Sequence, residues 1–327
     1  MNTEILPVDK WNPDEKVLEY AAGILKDGGL VAFPTETVYG LGGNALDGQA
    51  VSKIFSAKGR PADNPLIVHV FSKSQVLEVA EIDPKAEAFM DGFWPGPLTL
   101  VLSAKAAVPK EVTAGLDTVA VRMPNHPVAL GLIERAGLPV AAPSANRSGR
   151  PSPTSAQAVY DDLSGKIPLI LDAGGTELGM ESTVVALEDD DLRILRPGGC
   201  APEALKALAA KIIFERESPS MKSSPGTRHR HYAPRVPLVL LDSGKSKSEC
   251  QVPEGGKGRT GYIGMTQPPF DPFREIRFDS LAHFARGFFA ALRELEMEVD
   301  VIFVEMPPAE GIGFALRDRV RRAAGIF

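Results

Sequence analysis

Short apolar runs return along the first two hundred residues, at 30–33, 66–70, 98–102, 119–121, 140–142 and 169–171, and helical stretches near 49–55, 127–135 and 155–163 separate several of them. Brief apolar runs bounded by Gly, Pro and polar residues read as strands, and strands alternating with helices dictate an α/β fold. Ahead of them, Asn12-Pro13-Asp14-Glu15 reads as an N-cap, a proline at the first helical position and acids in the first turn. Val17, Leu18, Ala21, Ala22 and Leu25 then recur at helical spacing until Gly28-Gly29 ends the helix.

A chain of 327 residues exceeds the usual single domain, so two cores are expected. The break falls between 214 and 237, where Ser218-Pro219, Ser223-Ser224-Pro225-Gly226 and Tyr232-Ala233-Pro234 disfavour helix and strand alike. Beyond it, strands at 238–241, 260–263 and 301–305 with helices at 281–295 and 314–324 suffice for a small second α/β domain, while the polar stretch 243–259 reads as a mobile loop. The expected boundaries are therefore 10–200 for the main domain, 201–236 for a helix and linker, and 237–327 for the second domain.

Thirty-six Lys and Arg against 42 Asp and Glu leave a net charge of −6, so an anion site on this chain must be a local cluster. Cys200 and Cys250 are too few for a disulfide framework or a four-thiolate zinc site, and five histidines, with only His229 and His231 close together, make no clear metal cluster. The N-terminus carries no apolar run long enough for a signal peptide or a bilayer span, and a cytoplasmic protein is expected.

Three loops could carry chemistry. The segment from Pro34 to Gly43 follows the first apolar run directly and combines Thr35 and Thr37 with several glycines, where α/β folds place ligand loops. Its G-x-G-x-x-A match at 40–45 opens no helix immediately after the strand, and its P-loop spacing at Gly43 and Gly48 lacks the lysine; a plain glycine-rich turn also accounts for it. Lys58-Gly59-Arg60-Pro61 sets two cations on a segment read as non-helical, able to converge on one anion or simply to be solvated. Ala142-Pro143-Ser144-Ala145-Asn146-Arg147 and the hydroxyl-rich stretch after it suit phosphate or ribose oxygens, and Ser155 suits a helix cap. His69 in an apolar strand reads on its own as a core histidine. Lys58, Arg60, Arg122, Arg147, Arg150 and Arg196 all fall at strand ends or in loops, a pattern that predicts one basic concavity.

Taken in order, Pro34-Thr35-Glu36-Thr37-Val38-Tyr39-Gly40-Leu41-Gly42, Lys58-Gly59-Arg60-Pro61, Asn64-Pro65-Leu66-Ile67-Val68-His69, Trp94-Pro95-Gly96-Pro97-Leu98-Thr99, Val121-Arg122-Met123-Pro124, Pro143-Ser144-Ala145-Asn146 and Glu181-Ser182-Thr183 resemble the YrdC-type domain of threonylcarbamoyl-AMP synthases. The linker and second domain resemble the long form of that family, although Thr227 and Arg228 depart from its usual linker motif. The resemblance implies a twisted, largely open mixed sheet with a basic concave site, and a smaller Rossmann-like α/β domain. It implies the reaction of L-threonine, bicarbonate and ATP to threonylcarbamoyl-AMP and pyrophosphate, with magnesium brought by ATP and a tRNA-modifying threonylcarbamoyl transferase downstream.

By the same resemblance Lys58 and Arg60 meet phosphate and carbamate oxygens, and Asn64, Thr118, Ser144, Asn146, Ser152 and Arg196 surround the nucleotide, with His231 or Tyr232 closing over it. Thr35 or Thr37, His69, Arg122, the backbone at Ala142, and Ser182 hold threonine. The competing reading is a non-catalytic binder of double-stranded RNA or tRNA, which the net acidity disfavours.

Overall fold

A computed structural model describes residues 1–188, 191–214, 231–241 and 258–326. Among these, the first sheet contains β1 (Glu4–Pro7), β2 (Val31–Phe33), β3 (Gly40–Asn44), β4 (Ile67–His69), β5 (Leu98–Ser103), β6 (Thr118–Arg122), β7 (Val140–Ala141), β8 (Leu169–Asp172), β9 (Thr183–Glu188), β10 (Asp191–Arg196) and β11 (Lys211–Phe214). Their order across the sheet is β1-β8-β2-β3-β7-β4-β6-β5-β9-β10-β11, and parallel and antiparallel neighbours are mixed. The helices are α1 (Glu15–Lys26), α2 (Gly48–Lys58), α3 (Lys73–Val76), α4 (Pro84–Phe93), α5 (Lys110–Thr113), α6 (Pro127–Ala136), α7 (Ala156–Leu163), α8 (Pro202–Leu205), α9 (Leu281–Leu295) and α10 (Gly313–Ala323).

The sheet is covered on both faces. Leu18, Ala22 and Leu25 of α1 and Leu132 and Ile133 of α6 pack on Val31, Phe33 and Val140 from one side. Ile54 of α2, Phe89 of α4 and Val159 of α7 belong to the cluster that packs on Ala32, Leu41 and Val68 from the other. Helix α1 starts two residues later than the sequence pattern suggests: Asp14 is the N-cap, its carboxylate accepting from the Lys16 and Val17 amides, while Asn12 lies outside the helix.

Two local readings are corrected. The glycine-rich stretch after β2 is not only a turn, because Gly40–Asn44 forms β3, antiparallel to β2. Its glycines answer a packing demand: a Cβ on Gly42 would come within 2.7 Å of the Phe33 and Val140 side chains. The second correction concerns Lys58, which is the last residue of α2 rather than part of a non-helical segment. Gly59, left-handed at φ 61°, caps the helix after it.

The second domain is a parallel sheet of β12 (Leu238–Leu241), β13 (Thr260–Gly264), β14 (Arg274–Arg277) and β15 (Val301–Glu305), in the order β12-β15-β13-β14. Phe284, Phe288 and Phe289 of α9 are buried against Ile263, Ile302 and Val304, and each fully buried aromatic of this kind contributes roughly 1.5–3 kcal/mol. The same cluster takes in Val38 and Met180 of the first domain, together with Tyr232 of the connecting segment, so the two domains share one apolar seam. Most of the expected linker and the expected mobile loop lie outside the described residues. Among the described residues no helix is long and apolar enough to cross a membrane.

Candidate active site

A cleft opens where chain segments leave β2, β6, β7 and β10 and enter β4 and β9. Backbone hydrogen bonds fix its walls. The Leu41 amide donates to the Pro143 carbonyl at 2.8 Å, Ala145 to Tyr39 at 2.8 Å, and Ser148 to Lys58 at 2.9 Å. On the opposite wall the Thr183 amide donates to Pro97 at 2.9 Å and Gly199 to Glu181 at 2.8 Å. That wall demands glycine at 198, since a Cβ there would lie 2.2 Å from the Ser182 carbonyl carbon.

Of the residues singled out in the sequence, Thr35, Thr37, Arg60, His69, Arg122, Ala142, Ser144, Asn146, Ser182, Arg196, His231 and Tyr232 line this one cleft. The Thr35 and Thr37 hydroxyls are 2.7 Å apart, and Thr35 Oγ1 also donates to the Val38 carbonyl. Arg122, 3% exposed, donates from Nη1 to Thr37 Oγ1 at 3.0 Å and from Nε to the Gly96 carbonyl at 3.1 Å. Its Nη2 lies 2.5 Å from Glu36 Oε2, a buried ion pair whose angles fall short of a hydrogen bond. Arg196 donates to the Ser182 carbonyl and hydroxyl, and Thr99 supports that hydroxyl at 2.7 Å. Arg60 donates from Nη2 to the Asn64 and Pro65 carbonyls, at 3.3 and 3.2 Å.

The electrostatics follow from burial. Burial, partly offset by Tyr232, pushes the Arg60 guanidinium down to about 10, so it stays a cation at neutral pH. Burial and the neighbouring Arg122 push His69 down to about 3, and burial with Arg60, Arg322 and Lys58 does the same to His231. Both imidazoles are therefore neutral. His231 Nε2 is buried without a hydrogen-bond partner, a group that a ligand in the cleft can satisfy. Tyr232, left-handed at φ 66°, stacks on Phe289 at 5.3 Å, so this part of the cleft lining is anchored in the core of the second domain.

Four expected site residues lie outside the lining. Lys58 is 2% exposed and donates its amine to the Ser144 and Asn146 carbonyls; burial, reinforced by Arg60, holds the amine well below its usual range. It braces the loop that faces the cleft. Asn64 is buried, and its carbonyl accepts from Arg60. Ser152 is buried and donates to Glu181 Oε1. Thr118 begins β6, four residues before Arg122 and on the same strand face. Ala120 between them joins Ile67, Val184 and Leu195 in a small apolar cluster leading away from the cleft.

The basic concavity is thus built from Arg60, Arg122 and Arg196 rather than from all six cations. Arg147 is exposed and not among its lining residues, and Arg150 turns away to a bidentate pair with Glu296 of the second domain. Sequence reasoning assigned no role to Glu181, a carboxylate in the cleft wall. Burial would raise its pKa, but Arg319 and Arg196 outweigh burial and hold it below the ordinary carboxylate value. Glu36 was passed over too. Both stand in motifs quoted for their neighbours, and an acid fixed beside an anion site signals a paired cation behind it.

A two-domain α/β protein with three arginines and a set of hydroxyls in one cleft belongs to the class of anion-binding enzymes built at strand ends. Comparison with known proteins narrows this. A family model described as "Telomere recombination" matches residues 23–198, and one described as "Threonylcarbamoyl-AMP synthase, C-terminal domain" matches residues 200–325. A threonylcarbamoyl-AMP synthase of Pyrococcus abyssi is 45% identical, covering 95% of this chain and 95% of its own. One of Bacillus subtilis is 43% identical, covering 97% of this chain and 95% of its own. The solved structure of P. abyssi Sua5 complexed with L-threonine superposes with a TM-score of 0.91 at 44% identity, covering 99% of this chain and 98% of that one. Escherichia coli YciO matches with a TM-score of 0.55 at 25% identity, over 60% of this chain and 96% of its own. The chain belongs to the threonylcarbamoyl-AMP synthase family.

Proposed function

We propose that the protein condenses L-threonine, bicarbonate and ATP into threonylcarbamoyl-AMP and pyrophosphate, and that this product is consumed by a transferase that modifies tRNA. The observation that carries the reading is the convergence of Arg60, Arg122 and Arg196 with Thr35, Thr37, Ser144 and Ser182 on a single cleft. Support comes from relatives that match over almost the whole chain and bear the synthase name, one of them related to a structure holding L-threonine.

Threonine adds through its amine to bicarbonate, with loss of water, and leaves a carbamate. A carbamate oxygen attacks the α-phosphorus of ATP; the new O–P bond forms as the bond to the β-phosphate breaks and its electron pair leaves with pyrophosphate. Charge accumulates on the phosphoryl oxygens, and fixed cations stabilise it without reorganising. We assign that task to Arg60 and Arg196, with Lys58 holding the Ser144–Asn146 loop against the nucleotide and Asn64 and Ser152 acting from behind the wall. Ile67 in the cleft wall offers the purine an apolar contact, with Thr118 farther along the strand face that Arg122 occupies. His231 and Tyr232 cover the nucleotide.

Threonine falls to the other wall. Arg122 Nη2, held by Glu36 without good alignment, is the donor we assign to the threonine carboxylate. Thr35, Thr37, neutral His69, the Ala142 backbone and Ser182 complete that pocket. Among the described residues no group of three or more His, Cys, Asp and Glu side chains is placed to hold a metal, and Glu181 is already engaged by Ser152 and Arg319. We place magnesium on the triphosphate, as part of the MgATP substrate, where it neutralises phosphate charge.

Mass spectrometry of a reaction run with 13C-bicarbonate tests the reading. The expected product is threonylcarbamoyl-AMP carrying one heavy carbon; AMP alone, or ADP and phosphate without the adduct, would contradict it.

A further inference from the structure

Helix α10 carries Arg317, Arg319, Arg321 and Arg322, and the usual pattern for arginine is a solvated side chain. Arg319 departs from it. It is 0% exposed and heads the fully buried side chains ranked by size. Its Nε donates to Glu181 Oε2 at 2.7 Å, its Nη2 to the Pro197 carbonyl at 2.9 Å, and its Nη1 to Asp318 on its own helix. Its guanidinium carbon sits 5.3 Å from the centroid of the Tyr232 ring.

These contacts share a destination. Glu181 lines the cleft and receives the Ser152 hydroxyl on its other oxygen. Pro197 follows Arg196, whose guanidinium is held by Ser182. Tyr232, from the connecting segment, lines the same cleft. Arg319 is not among the cleft-lining residues. We propose that Arg319 is a positioning residue for the nucleotide: one side chain of the second domain sets the relative placement of Glu181, the Arg196-Pro197 turn and Tyr232, and so makes the ATP wall of the first domain depend on the second.

The proposal rests on the reading that this wall faces ATP. It explains why the position holds an arginine. A planar fork can address a carboxylate, a carbonyl and a ring face together, which a lysine ammonium cannot. Bulk alone would be served by an apolar residue, and replacing a buried ion pair with apolar groups is often tolerated by stability.

The test uses the full chain with Arg319→Met, Arg319→Lys and the double variant Arg319→Met/Glu181→Gln, whose second change removes the stranded carboxylate. Equilibrium binding of a non-hydrolysable ATP analogue and of L-threonine is measured with KM and kcat for pyrophosphate release. The expected result for Arg319→Met is an ATP-analogue Kd and an ATP KM raised by about tenfold to a hundredfold, with threonine Kd changed by less than about twofold. Arg319→Lys should fall between, and the double variant should be no weaker for ATP than Arg319→Met.

A folded Arg319→Met chain with wild-type ATP affinity overturns the proposal. So does a parallel loss of ATP and threonine binding that tracks a fall in Tm, because that is a merely structural role. If Arg319→Met does not fold, Arg319→Lys decides, and wild-type ATP affinity in it overturns the proposal equally. The two readings fail separately: a wild-type chain that binds ATP but makes no pyrophosphate sinks the reaction alone, and an active wild type indifferent to Arg319 sinks this inference alone.

Discussion

His69 shows how a single buried side chain ties stability to pH. Its ring is 4% exposed, meets Phe33 edge-on at 6.3 Å between centroids, and shares the cleft with Arg122. Burial and that cation push its pKa from 6.5 to about 3. In the unfolded chain the imidazole takes up a proton near its ordinary value, whereas in the folded chain it resists until far lower pH. The stability associated with neutral His69 is therefore complete above pH 6.5 and is lost as pH falls toward 3, by about 1.4 kcal/mol per pH unit in that window. His69→Gln should flatten that dependence. Denaturant unfolding of both proteins at pH 7.5 and pH 5 checks it: the variant is expected to lose less stability than the wild type, and equal losses would show that His69 does not titrate this way.

At the scale of elements, the end of α2 decides what two neighbouring cations do. Lys58 still belongs to the helix and points its amine into the Ser144 and Asn146 carbonyls, while Arg60, beyond the Gly59 cap, reaches the cleft. Removing the two cations should therefore have different consequences. Lys58→Ala leaves two carbonyls without their donor and should cost about 2–4 kcal/mol of stability. Arg60→Ala also gives up two donations, but these are long, at 3.3 and 3.2 Å, and border the cleft, where water can replace them; it should keep its fold to within about 1 kcal/mol and lower kcat by about a hundredfold. Thermal denaturation beside pyrophosphate release separates them, and an Arg60→Ala chain that melts as early as Lys58→Ala would reverse the assignment.

What could be read beforehand divides along physical lines. The buried strands β4, β5, β6 and β8 announced themselves because their apolar runs are bounded by turn residues, and the Ser155 cap because its hydroxyl accepts from the Ala158 amide only three residues on. Strand β3 stayed hidden because Gly-Leu-Gly-Gly-Asn lacks the residues that mark a strand; its glycines serve Phe33 and Val140, which are distant in sequence. The motifs and strand ends that single out Arg60, Arg122, Ser182 and Arg196 pick residues that line one cleft. They gave no sign of Arg319, because its partner Glu181 lies 138 residues away and no local pattern encodes that distance.

Across the whole molecule, the domains are joined by more than a connecting chain. Val38 and Met180 are buried in the core of the second domain. Arg150 pairs with Glu296, and Arg293 donates to Asp162 and to the Pro151 carbonyl, each at 2.6 Å. Separating the domains would give up these pairs and expose the apolar seam, at a cost of about 25 cal/mol for each Å² of apolar surface uncovered. The full chain should therefore melt in one cooperative transition. Scanning calorimetry is expected to show a single endotherm whose calorimetric and van't Hoff enthalpies agree, whereas two resolved endotherms would mean that the seam carries little energy.

The central claim is that one cleft holds a triphosphate beside an amino acid and joins them through a carbamate. Pyrophosphate release tests it most directly when threonine, bicarbonate and ATP are each left out in turn. Steady release is expected with all three and background with any one missing. Undiminished release without threonine, or none with the full set, would contradict it.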